Sequence, residues 1–308
     1  MIDVVLLGTA ALMPLPERAL TAAVWTVKGR SLLVDCGEGT QTALRRFGVS
    51  PLRVDIIALT HYHGDHIFGL PGLLQTLSSL GRTDPLTLTG PLGLREAMAP
   101  ILTLTGRVDY EIRLLPLPPQ GLALNELHGN WPAEARLRAF PTEHRVPSQG
   151  YCFTLGRAGR FLPEKARALG VPTKLWSLLQ RGQSVQAGER TVQPGEVLGP
   201  RRRGLKFAFS GDTAPCESLV KAAQDADLLI CEATYGEDAQ AQLAIDHGHM
   251  NFSQAAEMAA RAGVRRLWLA HYSQMVEDPL EYLDNARTRF ENAECGQDGM
   301  SVRLEFPE

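Results

Sequence analysis

Apolar residues along this chain fall into two rhythms. Short apolar runs alternate with stretches where apolar residues return every three or four positions, and the alternation continues from one end to the other. The runs at 4–7, 23–27, 31–35, 55–60 and 86–89 predict strands, each bounded by glycine, proline or polar turn residues. Gly37-Glu38-Gly39-Thr40 leads into a predicted helix that ends near Phe47, and 70–80 predicts another. Strands and helices interleaved in this way imply a layered α/β protein.

Four later features repeat one arrangement. The strand at 56–60 ends in His61, the run 137–140 is followed by His144, the strand 205–210 ends in Gly211-Asp212, and 266–270 ends in His271. Each places a metal-competent side chain at or just beyond the carboxyl end of an apolar strand, where layered α/β proteins assemble their sites on a rigid scaffold. The stretch from about 156 to 203 breaks the rhythm, with Pro163, Pro172, Pro194 and Pro200, many cations and one short helical piece near 175–180. It reads as an arm inserted between core strands, so 1–308 is expected to be a single domain carrying that insertion.

Composition changes this picture little. The chain has 308 residues, 44% hydrophobic and 21% charged, enough for a sizeable core. A net charge of -3 announces no nucleic-acid partner, so any such partner must be held by a local patch. Five cysteines without a CxxC pair read as reduced thiols and predict a cytoplasmic protein. The opening MIDVVLLGTAALMP lacks a basic start and carries Asp3, so a strand is expected there and not a signal peptide. No apolar run is long enough to cross a bilayer, and no membrane partner is expected.

The chemistry concentrates in His61-Tyr62-His63-Gly64-Asp65-His66. In an extended segment, positions two apart point the same way, so His61 and His63 can grip one ion, while Asp65 and His66 face a second. Imidazole and carboxylate together suit zinc, with manganese and iron(II) also accepted. His144, Asp212 and His271 complete the expected set, Asp212 being suited to bridge two cations. Two divalent ions activate water and polarise an electrophile, which is the chemistry of ester, phosphodiester or amide hydrolysis. His249, just before a helix expected to start near Ser253, is the candidate general acid, in a setting expected to keep its pKa near neutral.

With these residues in view, the chain resembles the ribonuclease Z family of the metallo-β-lactamase superfamily. The resemblance runs over nearly the whole length: Leu6-Leu7-Gly8-Thr9-Ala10-Ala11, Asp35-Cys36-Gly37-Glu38-Gly39-Thr40-Gln41, the histidine run with Gly69-Leu70-Pro71-Gly72-Leu73-Leu74, Ser210-Gly211-Asp212-Thr213, Glu232-Ala233-Thr234, and finally His249 and His271. It implies a four-layer αββα metallo-β-lactamase sandwich with a protruding arm. It also implies a zinc-dependent endoribonuclease that removes the 3′ trailer of precursor tRNA, leaving a 3′-hydroxyl, and that forms a homodimer. Carried over, it puts His61, His63 and His144 on one Zn2+, Asp65, His66 and His271 on a second, and Asp212 between them. Asp65 is implied as proton acceptor for the attacking water, and Glu232 as the support of His249. A related hydrolase of small phosphodiesters or other esters would use the same ligands.

The arm carries Arg157, Arg160, Lys165, Arg167, Lys174 and Arg181, with Arg201-Arg202-Arg203 at its base, a composition suited to phosphate-backbone contact. Lys174, Arg181 and, near the site, Arg18 are the candidate substrate-binding cations. Around Arg18, Pro14-Leu15-Pro16-Glu17-Arg18-Ala19 keeps only the proline and arginine of the family's Pro-x-Lys-x-Arg-Asn loop.

Overall fold

The computed structural model describes residues 1–307, which fall into two compact units: 1–154 with 206–305, and 155–205 with the last residues from Phe306. The first unit is built on two seven-stranded sheets. One contains β1 (Ile2–Gly8), β2 (Ala22–Val27), β3 (Arg30–Val34), β4 (Val54–Ala58), β5 (Leu86–Thr89) and β6 (Ile112–Leu114). The other contains β7 (Leu122–Ala123), β8 (Ala135–Pro141), β9 (Gln149–Arg157), β12 (Arg202–Phe209), β13 (Leu228–Glu232), β14 (Leu267–Ala270) and β15 (Ala293–Cys295), while β10 (Val185–Ala187) and β11 (Arg190–Val192) pair apart from both. The last strand, β16 (Ser301–Leu304), returns to the first sheet beside β1, so the orders are β16-β1-β2-β3-β4-β5-β6 and β15-β14-β13-β12-β9-β8-β7.

Period-two side-chain direction explains the layering. On β2, Trp25 meets Phe153 of β9 and Phe207 of β12, edge to face at 5.8 and 4.4 Å, which joins the two sheets. Its neighbour Val24 points the other way, into a cluster with Leu33, Ile57 and Leu88. Helices Thr40–Arg46, Leu70–Ser79 and Leu94–Thr105 cover that face; the second buries Leu70, Leu73, Leu74 and Leu77, one apolar stripe at helical spacing. Over the second sheet, helices Glu217–Ala223 and Phe252–Ala262 pack small residues such as Ala255, Ala256 and Ala259 against Leu229, Leu267 and Leu269. The order helix, sheet, sheet, helix is the expected sandwich.

β12, β13, β14 and β15 run parallel, as do β3, β4, β5 and β6, so their carboxyl ends share one edge of each sheet. The strands expected from the sequence are all present. The helix Leu94–Thr105, with Pro100 inside it, and β13 were not expected, and both bear on the site's surroundings.

The second unit has its own apolar cluster of Ala166, Val171, Leu179, Val185, Val192 and Val197. Beyond the expected helical piece, found as Thr173–Leu175 and Trp176–Gln180, it holds helices Pro163–Ala168 and Pro194–Val197 and the β10–β11 hairpin. Trp176 anchors it, against Phe161 at 5.2 Å and beneath the Arg167 guanidinium at 5.5 Å. Among the described residues, no helix is long and apolar enough to cross a membrane. All five cysteines are free and buried.

Candidate metal centre

Five strand ends converge. β4 delivers Thr60 and His61, β8 leads to His144, β12 to Asp212, β13 ends in Glu232, and β14 leads to His271. The histidine run leaves β4 in extended form as far as His63 and then makes one helical turn, Gly64–Ile67, which carries Asp65 and His66. Two backbone positions show what convergence costs: Asp35 and His271 both have φ near +60°, a left-handed conformation that residues with a Cβ seldom adopt. Gly211 and Gly248 also have positive φ; a Cβ on Gly248 would lie 2.8 Å from His144 Nδ1, so only glycine leaves that ring its place.

The donor atoms gather in three groups, the third of which, Asp212 with His249 and His271, shares a residue with each of the other two. Those of His61, His63, His144 and Asp212 lie within 4.8 Å of one another, and so do those of Asp65, His66 and His271. Asp212 touches both: its carboxylate oxygens lie 3.6 Å from His61 Nε2, 3.4 Å from His66 Nε2 and 3.3 Å from His271 Nε2. Asp65 Oδ2 lies 3.5 Å from His66 Nε2 and 3.6 Å from His271 Nε2, and accepts the Leu12 backbone N–H at 2.9 Å. All seven expected ligands are therefore brought together.

The surrounding shell aims them. His66 Nδ1–H donates to Asp35 at 2.8 Å, and Asp35 also accepts the Thr60 N–H and hydroxyl at 2.7 and 2.8 Å. His144 Nδ1–H donates to the Gly248 carbonyl at 2.8 Å. His271 Nδ1 lies 3.0 Å from the Thr234 hydroxyl. In each case the other ring nitrogen, Nε2, is left facing the cluster, the arrangement that orients histidines on metals. His66 Nε2 and His271 Nε2 are buried and have no hydrogen-bond partner. Buried polar atoms are rarely left so, and a cation is the partner that seven converging acceptors fit.

Electrostatics agree. Burial pushes the His61 imidazole down to about 2 and lowers those of His63 and His144, so all three are neutral and able to ligate. Burial opposes ionisation of Asp65 and Asp212, but His271 and His66 hold both carboxyls well below the ordinary range. At His66 burial is outweighed by Asp212 and Asp35, which raise its pKa well above the ordinary imidazole value, so an ion ligated there must displace a proton.

His249 differs from its expected setting. It is largely enclosed, its Nδ1–H donates to Glu232 at 2.8 Å, and its pKa is pushed up to about 9, burial being overcome by the Glu232 carboxylate. Glu232 is itself held by the N–H groups of Thr213, Thr234 and Met250 and by the Thr234 hydroxyl. The helix after it starts at Phe252, one residue from the expected start, capped reciprocally by Asn251 and Gln254. Arg18 donates to the carbonyls of Val276 and Glu277 at 3.0 and 2.9 Å and lies over the Tyr272 ring, which commits it to the loop following His271. Lys174 and Arg181 belong to the second unit and are exposed there, Arg181 donating to the Ser177 carbonyl at 3.0 Å. Sequence reading assigned no part to Asp35, Thr234 or Gly248; the Asp35-Cys36-Gly37-Glu38-Gly39-Thr40-Gln41 and Glu232-Ala233-Thr234 motifs held two of them in plain view.

The family model of the metallo-beta-lactamase superfamily matches residues 19–130, and that of the beta-lactamase superfamily domain matches 171–272. Fold and donor cluster together define a metal-dependent hydrolase of the metallo-β-lactamase superfamily. Ribonuclease Z of Lachnoclostridium phytofermentans is 42% identical over 308 residues, covering 99% of each chain, and that of Agathobacter rectalis is 41% identical over 310 residues, covering 100% of each. This chain belongs to the ribonuclease Z family. Human tRNase Z, short form, superposes with a TM-score of 0.67 at 28% identity over 99% of this chain and 100% of that one. YhfI of Bacillus subtilis, a metallo-beta-lactamase fold protein, does so with a TM-score of 0.67 at 21% identity over 98% of each, a likeness of fold.

Proposed function

We propose that this chain is an endoribonuclease that removes the 3′ trailer of precursor tRNA by phosphodiester hydrolysis, leaving a 3′-hydroxyl. In this reading His61, His63 and His144 would hold one Zn2+, Asp65, His66 and His271 would hold another, and the Asp212 carboxylate would serve both. The observation that carries it is the Asp212 carboxylate, within 3.3 to 3.6 Å of histidines from both groups. Two such ions would supply Lewis acidity at the scissile phosphate and lower the pKa of a water.

The chain's own residues do the rest. Asp65, steadied by the Leu12 N–H, accepts the proton of the attacking water. His249 remains protonated through neutral pH because Glu232 faces its Nδ1, so its Nε2 can give a proton to the leaving 3′-oxygen, which becomes the 3′-hydroxyl of the tRNA while the phosphate stays on the trailer. The second unit, with exposed Lys174 and Arg181, grips phosphates without reading sequence. Arg18 serves the site by holding the loop past His271. The protein acts as a homodimer in the cytoplasm, a reading supported by family membership and, for the compartment, by five free cysteines.

The test is end mapping. A labelled precursor tRNA should yield mature-length product ending at the discriminator region with a 3′-hydroxyl. Chelator should abolish the cut and added zinc restore it. Cleavage elsewhere, or undiminished cleavage in chelator, overturns the proposal.

A further inference from the structure

Beside the metal-ligand cluster lies a cleft of about 390 Å³, lined by Leu12, Pro14, Leu20, Glu38 and Phe68 together with His63 and Asp65. That volume is in the range of small-ligand sites, roughly 300–1,000 Å³. Its walls are unusual for a surface: Phe68 is 67% exposed and Leu12 is 72% exposed. The Phe68 ring lies against the backbone of Gly64, where a Cβ would come within 2.3 Å of it, so Gly64 is the residue that lets the ring rest on the ligand-bearing turn. Leu12 sits at φ +64°, which a branched apolar residue seldom adopts, with its N–H on Asp65. Strained backbone and exposed apolar surface at one place point to a ligand.

We propose that this cleft is a nucleobase subsite: the base of one nucleotide flanking the scissile phosphate stacks on Phe68, with Leu12 and Pro14 as the opposite wall. The inference rests on the ribonuclease reading given above. Its position follows from the lining, which shares His63 and Asp65 with the ligand cluster, so whatever occupies it adjoins the reacting phosphate. Its chemistry follows from the walls. Glu38 brings an exposed carboxylate into the lining and repels a backbone phosphate, leaving the flat, neutral base as the part of a nucleotide that fits. An aromatic face accepts any base, which suits an enzyme acting on many RNA sequences.

The test is a cycle of variant against substrate, using precursor tRNA with an abasic nucleotide placed immediately 5′ or immediately 3′ of the cut. With the wild-type protein, one of the two abasic substrates should lose about 5- to 150-fold in kcat/KM, the worth of one base stacked on an aromatic ring. Phe68→Ala, at unchanged metal content, should lose a similar factor on intact RNA and lose no more on that abasic substrate. Phe68→Trp should restore both the rate and the sensitivity. Equal losses of Phe68→Ala on intact and abasic RNA, or no loss on either, overturn the subsite while leaving the ribonuclease reading in place. Failure of the wild-type protein to cut intact RNA overturns that reading, and the subsite with it.

Discussion

At the scale of single residues, the ligand run was legible because its information is local: four donors within six positions need no tertiary contact to be suspected. Asp35 was not, since its hydrogen bond to His66 spans 31 positions and its sequence neighbours advertise a turn. Removing its charge offers a clean check. Asp35→Asn should leave His66 without its anionic partner and lower metal affinity about 10- to 100-fold, measured by competition with a chromogenic chelator. Unchanged affinity would make Asp35 a folding residue only. A second prediction concerns His249. A proton donor works while protonated, so turnover should hold below its pKa, about 9, and decline as pH rises through it. Glu232→Gln removes the charge that raises the value and should move this alkaline limb of kcat to lower pH, and His249→Ala should erase the limb while metal content stays near normal. A limb that stays in place in both variants would remove His249 from proton transfer.

Elements were read unevenly, for physical reasons. β4 and β14 announced themselves as apolar runs ending in a histidine. β13 is buried just as completely as those two, but it ends in Glu232 with no histidine to single it out, so it resembles any core segment. The helix Leu94–Thr105 was masked by Pro91, Gly93 and Pro100, yet it forms because Leu94, Met98 and Ile101 bury one face. Turns at strand ends hold the tightest constraints. Gly248→Ala would force a Cβ toward His144 from a backbone at φ +77°. It should cost more than about 1 kcal/mol of stability in thermal denaturation and loosen the ion held by His144. Full stability in that variant would mean the loop relaxes freely.

Across the whole molecule, the sandwich was legible from the alternation of elements, whereas the internal order of 155–205 was not. Its hairpin strands have three residues each, too few to show a period, and its core rests on six small or medium side chains. Deleting residues 160–198 should abolish cleavage of precursor tRNA and spare a small chromogenic phosphodiester, compared by kcat/KM on both substrates. RNA cleavage surviving intact would deny this unit a part in gripping substrate.

The seven donors come from chain segments anchored in opposite sheets, His61 beyond β4 on one side, His144, Asp212 and His271 beyond β8, β12 and β14 on the other. A cation seated there is therefore a clasp across the sandwich as well as a reagent. Because a ligand that favours the folded chain adds free energy with the logarithm of its concentration, about 1.4 kcal/mol for each tenfold rise, heat resistance becomes a gauge of loading. A cell poor in the metal would then thin out this protein by unfolding, and not only slow it.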